Sequence, residues 1–361
     1  MKIRRIEGEE CRRTCSLWEE VFPEDAPEFL EYYYTEKTKD NDIYIIEEEQ
    51  EICAMLHINP YDLYIGGKIL QGHYIVAVAT KEKHRHKKYM SSLLKRSEED
   101  MRKAKEPFTF LMPAAEAIYS PHGYRFIYDQ DQGEIEGEKP GGSYQFFFAG
   151  PKDFEEMSKF SNQILKERKD VFALRSPYYY ERLRKERKSE EGGIVMVRKD
   201  KMLVGMFSYI YMKQEGYEIA EPLFLKEEEA AFKEAVFWLT KGEKAFCSGY
   251  GTEKKPMIMA KILDVKSMME CLETKEKINL FLTVMEETGQ EEIGTYHISG
   301  ERTLYVEPLK EKKTVQSIGI GDLTSIIFGY KKPEETAISK ELRNELLKIK
   351  PFSEVFLNEV V

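Results

Sequence analysis

The chain has few of the residues that build disulfide scaffolds or metal centres: five cysteines and six histidines in 361 positions. Cys11, Cys15, Cys53, Cys247 and Cys271 are an odd set without C-x-x-C spacing, which argues against both a disulfide framework and a zinc knuckle and leaves buried free thiols as the expectation. His84 and His86 stand two apart, on opposite sides of a helix or together on one strand face, and no metal is expected there. No apolar run reaches the roughly 18 residues of a membrane helix. The first ten residues, MKIRRIEGEE, have no apolar segment behind their basic residues, so a soluble cytoplasmic protein without a membrane partner is expected. Positive charge is also short, with 55 Lys and Arg against 65 Asp and Glu, a formal charge of -10. That field disfavours nucleic acid and favours a small cation, although a local basic patch can still hold a phosphorylated ligand.

What the chain does contain is core-forming material. Hydrophobic residues make up 42%, aromatics 12% and charged residues 33%, a composition of ordered globular proteins. The length suits two or three domains.

The pattern predicts a helix over 9–21, then FPEDAPEFLEYYY, where Pro23 and Pro27 precede an aromatic amphipathic segment. Strands are predicted over 42–47 and 52–59, with a hairpin over 63–70 at Gly66-Gly67 and a central strand HYIVAVAT over 73–80. Met90, Leu93, Leu94, Ser97 and Met101 then share one face of a helix over 87–103. PFTFLMP is another strand, AAEAIYSPHGYRFIYDQ a short helix, turn and strand, and the glycine-rich stretch 133–142 a surface loop or domain boundary. Helices over 153–169 and 177–188, strands around the Lys199-Asp200 turn and a helix over 228–239 follow. From about Pro256 come MIMAKILDV, a helix at MMECL, three strands, helices over 321–328 and 339–347, and a tail with Phe352, Val355, Phe356, Val360 and Val361 to bury.

The most informative stretch is VAVATKEKHRHKKYMSSLL, residues 76–94. A strand leads into a turn whose amides, together with the following helix N-terminus, can receive a pyrophosphate, and Arg85, Lys87 and Lys88 add positive charge. This element resembles the acetyl-CoA turn of the GNAT superfamily, Arg/Gln-x-x-Gly-x-Gly/Ala. Arg85 matches its first position, while Lys88 and Met90 replace the glycine and the glycine or alanine. The resemblance implies acetyl-CoA as acetyl donor, with Ile75, Val76 and Val78 offering a splayed strand edge to its pantetheine arm, and with Arg85, Lys87, Lys88, Tyr89 and Met90 around the phosphates.

The stretch AIYSPHGYRF, with Tyr119, His122, Gly123 and Tyr124, resembles the I-Y-x-x-x-G-Y element of the enhanced-intracellular-survival family of N-acetyltransferases. There the first tyrosine is the general acid, which maps to Tyr119; a positioned phenol can protonate a leaving thiolate. The likeness spans the chain and implies an α+β protein: a catalytic GNAT domain over 1–148, a second GNAT-like mixed α/β domain without the cofactor turn over 149–255, and a sterol-carrier-protein-like α+β domain over 256–361. By the same resemblance the terminal carboxylate, here on Val361, is the catalytic base, and homo-oligomers such as hexamers are implied. Acceptors in the family are aminoglycosides, polyamines and lysine side chains, with Glu24, Phe29, Tyr32 and Tyr33 lining the substrate cavity here. The two substitutions at Lys88 and Met90 keep a second reading open, a non-catalytic amine-binding or assembly protein with a degenerate cofactor site.

Overall fold

The computed structural model describes residues 2–310 and 316–359. The chain opens with strand β1 (Lys2–Ile6), a 3-10 segment over Gly8–Thr14, and helices α1 (Cys15–Val21) and α2 (Pro27–Glu36). The single helix predicted over 9–21 is therefore divided. Its first half is tightened where the buried Thr14 hydroxyl bonds both the Cys11 carbonyl and the Tyr34 hydroxyl, 2.7 Å each, and so docks on α2. Strands β2 (Asp42–Glu48), β3 (Glu51–Ile65) and β4 (Lys68–Thr80) form an antiparallel meander. The β3–β4 turn is Gly66-Gly67, both with positive φ, as a two-residue hairpin requires.

Helix α3 (Tyr89–Lys103) returns over the sheet to β5 (Phe108–Leu111), which lies parallel to β4. The short helix α4 (Glu116–Tyr119) and β6 (Arg125–Ile135) complete this unit. A second unit contains β7 (Gln145–Phe148), α5 (Phe154–Arg168), β8 (Val171–Ala173), α6 (Pro177–Ser189), β9 (Gly193–Lys199), β10 (Met202–Met212), β11 (Gly216–Phe224), α7 (Ala230–Thr240) and β12 (Ala245–Ser248). β13 (Glu253–Ile262) then enters the first unit between β5 and β6.

Among the described residues these strands form one sheet in the order β1-β2-β3-β4-β5-β13-β6-β12-β11-β10-β9-β7. The strands are therefore not distributed in consecutive sequence blocks. The expected boundary at 255/256 falls inside β13, and β7 pairs with β9 of the second unit. The predicted loop at 133–142 begins inside β6 instead, because Gly133 to Ile135 pair with β12. Likewise β3 runs straight through Pro60, where two strands were expected. Pairing with β2 stops at Ile58 and pairing with β8 starts at Leu63, so the missing proline N–H falls in a gap.

The remaining chain forms α8 (Val265–Met269), β14 (Glu273–Thr274), β15 (Ile278–Met285), β16 (Glu292–Gly300), β17 (Leu304–Leu309), β18 (Gln316–Gly319), α9 (Ile320–Ile327), α10 (Lys340–Leu346), β19 (Ile349–Lys350) and β20 (Val355–Phe356). Four of these strands make a second sheet, β17-β16-β15-β18, whose core residues Leu282, Ile298 and Leu323 are continuous with Phe108, Phe110 and Ile262 of the large sheet. β20 returns to pair with β8, which itself pairs with β3, so Val355 and Phe356 join the large sheet beside the first unit. All five cysteines are free, and all but Cys15 are buried. No helix among the described residues is long and apolar enough to cross a membrane.

The β3–β4 hairpin tip holds the third unit at short range, since a Cβ on Gly66 would lie 2.2 Å from the Cys271 carbonyl oxygen. Backbone atoms cannot yield there as a flexible side chain can. Gly66→Ala is expected to cost about 2 kcal/mol or more through this clash and its positive φ. Equilibrium urea unfolding checks it; a loss under about 0.5 kcal/mol would contradict the close packing.

Candidate active site

In β4 the register against β3 shifts so that Ala77 and Val78 together oppose Leu56, and Ala77 takes a left-handed φ of 51°. This is a bulge. Parallel pairing of β4 with β5 is confined to Tyr74 with Phe110 and Ile75 with Leu111, so from Val76 onward the two strands separate. The edge of β4 beyond Ile75 can pair with an extended ligand carrying amides, as an added strand does. Ile75 itself is buried toward α3 and is the last residue paired to β5; Val76 and Val78 occupy the free stretch.

The turn that follows carries the charge. Lys81 and Lys83 are paired with Glu51. Arg85, His86 and Lys88 are exposed, and among the described residues no carboxylate lies within ion-pair distance of Arg85 or Lys88. Lys88 has φ 62° and ψ 23°, the left-handed geometry that a glycine there would adopt, and its side chain extends to solvent. Met90 is half-buried against the core beneath α3 rather than in the turn. Neither side chain fills the cradle. Among the described residues no side chain caps α3, so its first-turn amides are free for an anion.

Two expectations around this turn change. Tyr89 is buried and its hydroxyl donates to Glu48 at 2.5 Å, so only its backbone faces the turn. Lys87 folds back, with Nζ 3.1 Å from His84 Nδ1 and 5.8 Å from the Tyr89 ring centre. His84 and His86 do not meet; His84 lies instead within 4.8 Å of donor atoms on Glu48 and Cys53. Because Tyr89 and Lys87 already engage Glu48 and His84, no metal role is assigned to that cluster.

Tyr119 ends α4, 7% exposed, with its ring edge-on to Tyr124 at 6.0 Å. Burial pushes its phenol up to about 12, and among the described residues its hydroxyl has no hydrogen bond. Tyr124 differs: fully buried, it donates to Glu98 of α3 at 3.0 Å and is structural. His122 Nε2 lies 3.5 Å from Ser91 Oγ at the start of α3, its pKa lowered by burial.

Beyond the sheet, a cavity of about 780 Å³ is bounded by the α1–α2 connection, α6, β10 and β11. Glu24 and Phe29 line it. Tyr33 does not; it is fully buried against Trp18 and bonds His57 Nδ1 at 3.2 Å. Tyr32 is also turned inward, donating to Glu186 at 3.1 Å. The segment's helical period puts both rings on the packed side, which sequence could not separate from the cavity side. The walls missed by sequence are Asp25, Glu28, Glu190, Glu191 and Glu218, with Tyr209 and Tyr211. Six carboxylates face the cavity against Arg187, Lys188 and Lys213, so its field favours a cation. Tyr119 does not line this space, but Phe29 packs in the same core as Ala77 and Val76 of the β4 bulge.

Asn358 also lines the cavity, which brings the tail to it. The Leu357 carbonyl accepts from the Tyr128 hydroxyl at 2.5 Å, and Gln130 Nε2 donates to Asn358 Oδ1 at 3.2 Å. Val361, the expected base, lies outside the described residues.

Residues 2–127, which include the bulge, the cationic turn and Tyr119, match the family model described as the acetyltransferase (GNAT) domain. The chain is an N-acetyltransferase. Its whole length follows solved structures of the same fold. A GCN5-related N-acetyltransferase from Kribbella flavida aligns over 100% of this chain and 98% of its own, with TM-score 0.77 and 15% identity. One from Anabaena variabilis ATCC 29413 covers 99% of both chains with TM-score 0.77 and 14% identity. Eis1 from Mycobacterium abscessus covers 99% of both with TM-score 0.71 and 11% identity. No curated protein sequence matches the chain. The GNAT family uses acetyl-CoA as donor.

The acetyltransferase's Lys88 gives a direct test of the turn. Lys88→Gly is expected to unfold at equal or higher urea concentration, since it removes a left-handed penalty of about 1 kcal/mol. Acetyl-CoA affinity should fall several-fold at low salt and little in 0.5 M salt, about where exposed charges are screened. Calorimetry at both salts decides it, and an unchanged low-salt affinity would remove Lys88 from the phosphate field.

Proposed function

We propose that this acetyltransferase moves acetyl from acetyl-CoA to a primary amine of an oligocationic acceptor, of aminoglycoside, polyamine or lysine type. The observation that carries the reading is the separation of β4 from β5 directly before an uncapped, cationic helix start. Acetyl-CoA supplies an activated thioester. The β4 edge from Val76 holds the pantetheine amides, while Arg85, Lys88 and the first-turn amides of α3 hold the phosphates. The acidic cavity gathers the acceptor and raises its local concentration.

As the amine nitrogen bonds to the carbonyl carbon and the C–S bond breaks, the Tyr119 hydroxyl gives its proton to the departing thiolate. The ammonium proton leaves to a carboxylate, for which Val361 at the end of the tail is the candidate. In this reading the third unit has a sterol-carrier-like fold and serves to bring the tail to the cavity rather than to carry lipid.

Calorimetry with acetyl-CoA, followed by mass spectrometry of spermidine and kanamycin incubated with both, tests the proposal; no acetyl-CoA binding at millimolar concentration would defeat it. Tyr119→Phe is expected to keep cofactor affinity within about twofold and lower turnover by about 100-fold, whereas a loss under threefold would remove the acid role. Because the phenol stays protonated until pH approaches about 12, kcat should rise with pH as the amine and its base deprotonate. No falling limb from Tyr119 is expected below about pH 10.

A further inference from the structure

The second unit repeats the bulge of the first. Between β10 and β11 the register shifts so that Glu221 and Pro222 oppose Phe207, and Glu221 takes φ 56° against 51° for Ala77. Parallel pairing of β11 with β12 ends at Ala220 with Ser248, directly before that bulge, as β4 leaves β5 directly before its own. The turn that follows is different. It reads LKEEE over 225–229, with Glu227, Glu228 and Glu229 beside Lys226 and with Glu228 paired to Lys199, so where the first unit has Arg85, Lys87 and Lys88 the second has no excess of positive charge for a pyrophosphate. The second bulge is therefore not kept for a phosphorylated ligand.

Its residue is a buried carboxylate instead of alanine, and left-handed glutamate with a buried charge is unfavourable unless paired. Arg175, 1% exposed, is that partner and grips both Glu221 oxygens, with Nη2 3.0 Å from Oε1. The arginine is itself locked from behind. Its N–H donates to Asn162 Oδ1 at 3.0 Å, and its carbonyl accepts from Ser158 and Asn162 of α5. Its guanidinium then reaches the tail twice, 5.4 Å from the Phe356 ring centre and 3.9 Å from Glu359 Oε1. Glu359 is 4% exposed and that oxygen has no hydrogen bond among the described residues. Asn358, between these two contacts, lines both the large cavity and a neighbouring one of about 280 Å³ that Glu221 and Glu359 also face.

We infer that Arg175 and Glu221 are positioning residues for the acceptor: the second unit's bulge, freed from any cofactor, seats the tail from Phe356 to Glu359 as the wall that shapes the amine cavity. The inference rests on the proposed amine acceptor. It predicts that loosening the seat alters acceptor recognition and leaves the donor site in the first unit as it was.

The main test is the double variant Arg175→Met with Glu221→Met, since replacing a buried ion pair with apolar side chains of similar length preserves folds that removal of one partner would break. Amide hydrogen exchange across 355–359 should speed by about tenfold or more. KM for spermidine should rise by about tenfold while acetyl-CoA affinity stays within about twofold. Arg175→Lys, which keeps the charge and loses the two-pronged grip, should fall between the parent and the double variant, and it carries the test if the double variant does not fold. Unchanged tail exchange and spermidine KM in a folded variant would overturn the inference, as would parallel loss of acetyl-CoA affinity. If the parent transfers no acetyl to spermidine, the proposed function fails by itself, and tail exchange with calorimetric spermidine binding still decides the seat.

Discussion

The open edge of the large sheet depends on β4 parting from β5 after Ile75, and two features of the surrounding sheet fix that separation. On one side the Ala77 bulge adds a residue to β4 and increases its twist against β3. On the other, β13 pairs with β5 over its whole length, from Phe108 to Leu111, and prevents β5 from following β4. An open edge inside a sheet is ordinarily unfavourable because its amides go unpaired. Here the pairing deficit coincides with an uncapped helix start and exposed cations, so three kinds of incomplete interaction lie along one stretch of chain, from β4 to the start of α3.

The same architecture explains why one continuous sheet serves two units. β6 pairs with β13 along its first part and with β12 along its second, so the first unit's last strand is also the neighbour of the second unit's last strand. Motion of one unit against the other would break this ladder. The acidic cavity, built from the α1–α2 connection on one side and α6, β10 and β11 on the other, is thereby held at fixed width. Lys261 reinforces the joint with the third unit: 3% exposed, it bonds Glu98 of α3 at 2.8 Å and Glu286 at 3.1 Å, two acids that it and Arg102 share. Buried ionic groups of this kind contribute little net stability but leave few alternative packings.

Much of the region from β4 to α3 was legible in the sequence by itself. The apolar strand at 73–80, the charges of Arg85 and Lys88 and the one-sided helix after them are local patterns, and the structure keeps all three in that order. Composition and the lack of long apolar runs likewise followed from residue counts alone. The doubt over Lys88 and Met90 was not resolvable locally, because it depended on whether their side chains entered the turn or left it; the backbone took the left-handed conformation and both left it.

The acidic cavity was decided by tertiary structure. Glu24 and Phe29 reached the cavity, whereas Tyr32 and Tyr33, a few residues on, were drawn into hydrogen bonds with Glu186 and His57, partners 154 and 24 positions away. Half of the cavity's six carboxylates, Glu190, Glu191 and Glu218, come from the second unit, and the tail reaches it through Asn358. No period or motif encodes such a meeting. Local sequence determines which backbone conformation and which face a segment prefers, but a wall assembled from segments 200 and more residues apart exists only once non-local strand pairing, here β13 between β5 and β6 and β20 against β8, has brought those segments together.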